Sequence, residues 1–310
     1  MAKKSIVSAA VCLAVASLAL LTSASLVAAA DWQARPGGSY KSPGQGPKSK
    51  GRNTLPDGHV ATASKGDIAK AWYIQPTSRY RHAILGDAIE ASGLKVELHD
   101  GRTLDLNLPK NRVFEDRTPR LMDLDGDGAH EIITLLSSNS GGAAIAVYGV
   151  ANGKLTLIDQ TPFIGLSNRW RNIAGIADYN GDGALEIAEV VTPHIGGTLR
   201  FWSWRGKRLS QAAAAKYFSN HAIGAREQRL SATADFNGDG RPDLAVPGRS
   251  RQTLHLMGFI GPNRKLQTID SVELRADIAG AIVANTHNGK PVMKVQLRDG
   301  SVWDIRDFQK

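Results

Sequence analysis

Three short acidic stretches constrain this chain more than anything else in it. They are Asp123-Leu-Asp125-Gly-Asp127-Gly-Ala-His-Glu131, Asp178-Tyr-Asn180-Gly-Asp182-Gly-Ala-Leu-Glu186 and Asp235-Phe-Asn237-Gly-Asp239-Gly-Arg-Pro-Asp243. Each offers side-chain oxygens at positions 1, 3 and 5 and a carboxylate at position 9, with a glycine at position 6 for the tight turn. Calcium takes about six to eight oxygens, so a short loop that curls its alternate side chains inward, with a backbone carbonyl at position 7, suits it. Like-charge repulsion would disfavour such a cluster without a cation. The chain is therefore expected to bind about three calcium ions, one per loop.

An EF-hand is the competing reading, and the second copy fits it, because Glu189 falls at loop position 12. The other copies have Thr134 and Val246 there, where an EF-hand needs a bidentate glutamate. The flanks also read as strands. Ile173-Ala-Gly-Ile-Ala enters the second loop, Ile187-Ala-Glu-Val-Val leaves it, and Asp243-Leu-Ala-Val leaves the third, all short and apolar.

The spacing of the copies points to a repeat architecture. Asp123 and Asp178 are 55 residues apart, and Asp178 and Asp235 are 57 apart, a period that signals a propeller or array. A later apolar strand recurs in each copy at a similar offset, at Ala144–Tyr148, Thr198–Trp202 and Thr253–Met257. A second repeat links the ends of the domain. Leu94-Lys-Val-Glu-Leu-His-Asp-Gly-Arg-Thr-Leu-Asp-Leu106 aligns with Met293-Lys-Val-Gln-Leu-Arg-Asp-Gly-Ser-Val-Trp-Asp-Ile305, and both read as hairpins with an Asp-Gly turn. These observations predict an all-β propeller of five four-stranded antiparallel blades at roughly 78–114, 115–166, 167–226, 227–276 and 277–310, with calcium loops in the central three. A sixth blade completed by residues 59–77 is the alternative.

The N-terminus reads differently. Lys3 and Lys4 precede an apolar run from Ile6 to about Leu21 that ends in Ala28-Ala-Ala30, the pattern of a signal peptide cleaved after Ala30. The mature protein is expected in the periplasm or outside the cell, with no transmembrane segment. The single cysteine, Cys12, lies within the signal, so no disulfide is expected despite export. Residues 31–58 are rich in Gly, Pro and Ser and read as a flexible tail. Five basic residues there, Arg35, Lys41, Lys48, Lys50 and Arg52, could touch an anionic envelope surface. Residues 59–310 remain as one propeller domain, large enough for a well-buried core. The net charge of +9 is spread along the chain with no basic run interleaved with aromatics, so nucleic acid is a poor partner.

The three D-x-[DN]-G-D-G-x-x-[DE] loops, each between strands, resemble the FG-GAP or VCBS repeats of bacterial exported proteins and integrin-type propellers. The motif covers about residues 115–276. The resemblance implies a β-propeller with calcium between the first two strands of a blade, held by Asp123, Asp125, Asp127 and Glu131, by Asp178, Asn180, Asp182 and Glu186, and by Asp235, Asn237, Asp239 and Asp243. It brings no activity with it, and the end blades depart from the pattern by lacking a metal loop.

Ligands of propellers gather where loops of several blades converge. Off the metal loops, the candidates are Asn168, Trp170, His194, Arg200, Trp202, His221 and Arg226, whose aromatic, imidazole and guanidinium groups suit a sugar or an anion. Each also has a purely structural reading, as blade packing or a satisfied turn. No G-x-S-x-G elbow, CxxC pair or zinc-type histidine spacing occurs. The expected protein is a non-enzymatic binding module for a protein or an envelope glycan. Two alternatives stand beside it: an assembly or scaffolding factor, and a polysaccharide hydrolase or lyase using distant carboxylates such as Asp87, Glu90, Glu189 or Glu227.

Overall fold

Strands buried on both faces read as nearly continuous apolar runs, and the central strands of this protein do so. The computed structural model describes residues 31–307, and the expected signal peptide, residues 1–30, lies outside the described residues. Among the described residues there is no helix. The strands are β1 (Trp32–Pro36); β2 (Ala61–Thr62), β3 (Ile68–Thr77), β4 (Glu90–Leu98) and β5 (Thr103–Asn107); a short β6 (Arg112–Phe114); and β7 (Arg120–Met122), β8 (Glu131–Ser138), β9 (Gly142–Ala151) and β10 (Lys154–Gln160). They continue with β11 (Arg171–Ala177), β12 (Glu186–Val191), β13 (Thr198–Arg205) and β14 (Arg208–Lys216), then β15 (Ala232–Ala234), β16 (Asp243–Pro247), β17 (Thr253–Ile260) and β18 (Lys265–Glu273), and close with β19 (Val283–His287), β20 (Lys290–Gln296) and β21 (Val302–Asp307).

Three four-stranded antiparallel sheets run β11-β12-β13-β14, β15-β16-β17-β18 and β19-β20-β21-β1. The meanders β2-β3-β4-β5 and β7-β8-β9-β10 share one nine-stranded sheet, because β6 pairs with both β4 and β8. The fold is a β-propeller, in which each sheet packs face to face on the next. Every residue of β8, β12 and β16 is buried. Four apolar clusters fill the spaces between successive meanders: Tyr73, Phe114 and Ile132 between the first and second; Ile133, Ile187 and Trp204 between the second and third; Phe201, Leu244 and Phe259 between the third and fourth; Leu256, Met293 and Ile305 between the fourth and last. The matched hairpins at the two ends both form, but at different places. β4 and β5 are the outer two strands of their meander, whereas β20 and β21 are the middle two of theirs.

Two boundaries differ from the sequence reading. The first meander begins at Ala61, so residues 59–77 supply its inner strands rather than a separate blade. Residues 31–58 also form part of the fold. Trp32–Pro36 is the outer strand of the last sheet, paired with β21 from Trp32↔Asp307 to Pro36↔Trp303. Beyond it, the Tyr40 hydroxyl donates to the Ala281 carbonyl at 2.8 Å, Arg229 donates to the Pro43 carbonyl at 2.7 Å, and Leu55 is buried against the first meander. Low apolar content hid this, because the segment is fixed by two buried side chains, Trp32 and Leu55, and by hydrogen bonds from arginines elsewhere in the chain. Its five basic side chains stay exposed.

Antiparallel order fixes two ends. The three acidic loops join the first and second strands of their sheets and lie at one end, together with the β13–β14 and β17–β18 turns. The segments preceding β4, β7, β11 and β15 and the β12–β13 loop gather at the other.

Candidate functional site

At the first end, backbone N–H groups hold the position-1 aspartate of every loop. Asp123 accepts from Gly126 and Gly128 at 2.8 and 2.9 Å, Asp178 from Asp182 and Gly183 at 3.0 and 2.9 Å, and Asp235 from Gly238 and Gly240 at 2.7 and 2.8 Å. The position-9 carboxylates, on the first residues of β8, β12 and β16, are buried and accept from the backbone N–H of position 2 at 2.9, 3.0 and 2.9 Å. Burial, first of all, pushes Glu131, Glu186 and Asp243 up to about 7 each, with the neighbouring loop aspartates adding to the shift. In the first loop, oxygens of Asp123, Asp125 and Glu131 lie within 4.8 Å of one another. In the second and third loops an asparagine at position 3 bonds its neighbours: Asn180 donates to Glu186 at 2.8 Å and Asn237 to Asp239 at 3.2 Å. Buried carboxyl oxygens converging on preformed turns fit a hard divalent cation.

Cations of the chain itself already lean on these loops. Lys207, in the β13–β14 turn of the next sheet, lies 3.4 Å from Asp125 and 3.2 Å from Asp127. Arg264, in the β17–β18 turn, donates to the Asn180 carbonyl at 2.9 Å, and Arg205 pairs with Asp182 at 2.5 Å. In the third loop Arg241 pairs with Asp239 at 2.6 Å.

At the other end, Trp170, His194 and His221 come together from three separate segments. His194 Nε2 is 3.0 Å from His221 Nδ1, and His221 Nε2 donates to the Ala225 carbonyl at 2.9 Å, which leaves Nδ1 as the acceptor for His194. The Trp170 and His194 rings are stacked with centroids 6.3 Å apart, and His221 lies 4.6 Å from Trp170. Burial lowers His194 to about 3 and His221 to about 4, so both rings are neutral at neutral pH. A tight loop places His194. Thr192 has φ 48°, its carbonyl accepts from Ile195 at 2.9 Å, and Gly197 approaches the Phe218 backbone so closely that any side chain there would clash.

Trp170 is 2% exposed and His221 fully buried, so only His194 of the three keeps an accessible edge. Asn168 lies beside them, its N–H donating to the Tyr80 hydroxyl at 3.1 Å. Arg226 sits further along the same end, paired with Asp57 and Asp87. Trp202 and Arg200 are elsewhere. Trp202 is packed between the second and third meanders and donates to Glu189 at 2.7 Å, beside the buried Arg171–Glu189 pair at 3.0 Å, while Arg200 is half-buried on β13. The packing reading therefore holds for Trp202.

The sequence reading missed the group that ties these loops together, Glu115-Asp116-Arg117, whose three charges stand between apolar strands. Glu115 is fully buried, 2.6 Å from His82 Nδ1, and accepts from Ser137 at 2.5 Å, while its carbonyl accepts from the Trp170 indole at 3.0 Å. Asp116 accepts from Gln228 at 3.2 Å, and the Gln228 carbonyl accepts from Asn172 at 2.7 Å, a chain linking the second, third and fourth meanders. Three adjacent charges preceding a short strand were the available signal.

Comparison with known proteins agrees with this geometry. A family described as FG-GAP-like repeat matches residues 123–189, and the FG-GAP repeat matches residues 229–252, so the two matches include all of the first two loops and the third. Similar solved structures include the rhamnogalacturonan lyase YesW (17% identity, 89% of this chain, 53% of that one, TM-score 0.50). Two others are the exotype rhamnogalacturonan lyase YesX (15%, 86% and 50%, 0.49) and the Bacillus licheniformis rhamnogalacturonan lyase PL11 (15%, 86% and 52%, 0.49). The chain spans about half the length of these enzymes, and at such identity the likeness to YesW is one of fold. No curated protein matches the chain.

Proposed function

We propose that this chain, which carries FG-GAP-type repeats at residues 123–189 and 229–252, is an exported calcium-binding propeller that acts as a binding module for a protein or an envelope glycan. In this reading calcium sits in the three acidic loops and fixes the strand ends there. It supplies the positive charge that the buried position-9 carboxylates lack. The partner is taken at the opposite end. The observation that carries the proposal is this division: metal-type loops at one end, and at the other a convergence of Trp170, His194 and His221 in which the accessible His194 is followed by Ile195, 62% exposed, with Ile223, 72% exposed, close behind His221. Exposed apolar side chains beside polar ones are the composition of a recognition surface.

The test is capture on a glycan array and from envelope extracts by the wild type and by an Ile195→Asp, Ile223→Asp double variant. Capture by the wild type and its loss in the variant are expected. Equal capture by both would refute the assigned face.

A polysaccharide lyase is the second reading, favoured by the fold likeness to YesW together with the buried Glu115–His82 pair. Release of unsaturated products from a uronic-acid polysaccharide, followed by ultraviolet absorbance and abolished in His82→Ala, would establish it in place of the first.

A further inference from the structure

A narrow cleft at the end opposite the acidic loops has a chemistry that the other described residues do not complete. It lies between the segments preceding β4 and β7 and the bend at Leu55–Asp57, and four carboxyl side chains line it. Three are matched by arginines. Asp116 accepts from Arg120 at 2.6 Å, Asp57 from Arg117 at 2.8 Å, and Asp87 from Arg226 at 2.9 Å. The fourth, Glu90, is 3% exposed, and its Oε1 is buried without a hydrogen-bond partner among the described residues. Buried carboxyl oxygens are ordinarily bonded. Glu90 itself lines a cleft that opens to solvent, with its unpaired oxygen at the buried end of that side chain.

We propose that this cleft binds a primary alkylammonium group, with the nitrogen against Glu90 and the carbon stem along Leu85 and Ile89. Size and charge select this class. The space beside Glu90 holds about one water-sized group, which suits a compact –NH3+ with its three donors better than a planar guanidinium and leaves the stem at the open mouth. Since three arginines match the three aspartates, a single positive charge from the ligand is what an ionised Glu90 lacks. The apolar wall suits methylenes, with Leu85 buried and Ile89 42% exposed at the mouth. Without ligand, burial and the charges of Glu115, Asp87, Asp57 and Asp116 push the Glu90 carboxyl up to about 9, so it holds a proton. When the charged amine enters, that proton leaves to solvent. The inference names the ligand group for the binding face proposed above and rests on that reading.

The test is calorimetric titration of the calcium-saturated, folded chain with n-butylammonium and, in parallel, with butan-1-ol, its neutral counterpart. Saturable amine binding is expected, roughly tenfold or more tighter than for the alcohol, and weakened by a similar factor in Glu90→Gln. Equal affinity for amine and alcohol, no saturable amine binding, or undiminished binding by Glu90→Gln would overturn the proposal. If that variant does not fold, the wild-type comparison of the two probes decides alone, and Ile89→Ala, at an exposed position, reports on the stem. A flat amine titration with glycan or protein capture intact would sink the ammonium site only. Saturable amine binding without capture would keep the site and sink the wider reading.

Discussion

If the acidic loops hold calcium, protons must compete for the same sites in a direction set by the position-9 carboxylates. Glu131, Glu186 and Asp243 are 2, 0 and 2% exposed, and each is pushed up to about 7. In the ion-free protein these groups hold protons below pH 7, and an entering cation has to displace them. Affinity is therefore flat above about pH 8 and falls as pH drops through 7. For a group with a pKa of about 7, the ionised fraction goes from about one half at pH 7 to about one hundredth at pH 5, a loss of about fifty-fold in affinity per site, or about 2.3 kcal/mol. Calorimetric calcium titrations of ion-free protein at pH 5, 6, 7 and 8 measure this directly. Glu186→Gln removes the titrating group from the second loop, so that loop should bind weakly at every pH while the other two keep the full dependence. Affinity that is unchanged between pH 5 and 7, or that rises as pH falls, would refute the reasoning.

Two further perturbations test how the sheets are held together. Arg171 pairs with Glu189 at 3.0 Å in a fully buried setting and also donates to Thr161 at 2.9 Å, so Arg171→Met should destabilise the fold by about 3–5 kcal/mol by leaving a buried carboxylate uncompensated. Denaturant unfolding checks this, and removing both charges in Arg171→Met, Glu189→Leu should recover much of the loss; a double variant as unstable as the single one contradicts the pairing argument. His221, buried and lowered to about 4, takes up a proton in the unfolded chain before it does so in the folded one. Its contribution is complete above about pH 6.5 and lost as pH falls towards 4, about 3 kcal/mol in all. Since the position-9 carboxylates act in the opposite sense, the quantity to measure is the wild type minus His221→Gln, and parallel acid profiles for the two would count against a neutral buried imidazole.

Much of this architecture was legible in the chain because its repeats carry their own punctuation. Each D-x-[DN]-G-D-G turn announces a strand on either side, and β11, β12 and β16 begin or end within a residue or two of where the apolar runs do. The metal-type loops were legible for the same reason, since every oxygen donor lies within nine consecutive residues. The opposite end was harder to read. Trp170, His194 and His221 come from three segments, and only the folded chain brings their rings together. Trp202 and Trp170 looked alike in the sequence, yet both are core side chains: in a propeller both faces of a sheet are covered, so strand alternation does not separate a packed aromatic from an exposed one. Residues 31–58 were misread because composition measures how much apolar surface a segment has, not whether β21 has an open edge waiting for Trp32–Pro36.

The central claim is that each acidic loop holds its own calcium ion. Elemental analysis of the protein after equilibration with calcium and removal of free ion tests it most directly. About three equivalents per chain are predicted for the wild type, and about two for Asp182→Ala, with the first and third loops still filled. Wild-type protein free of calcium, or an Asp182→Ala variant that loses all of its calcium at once, would contradict the account.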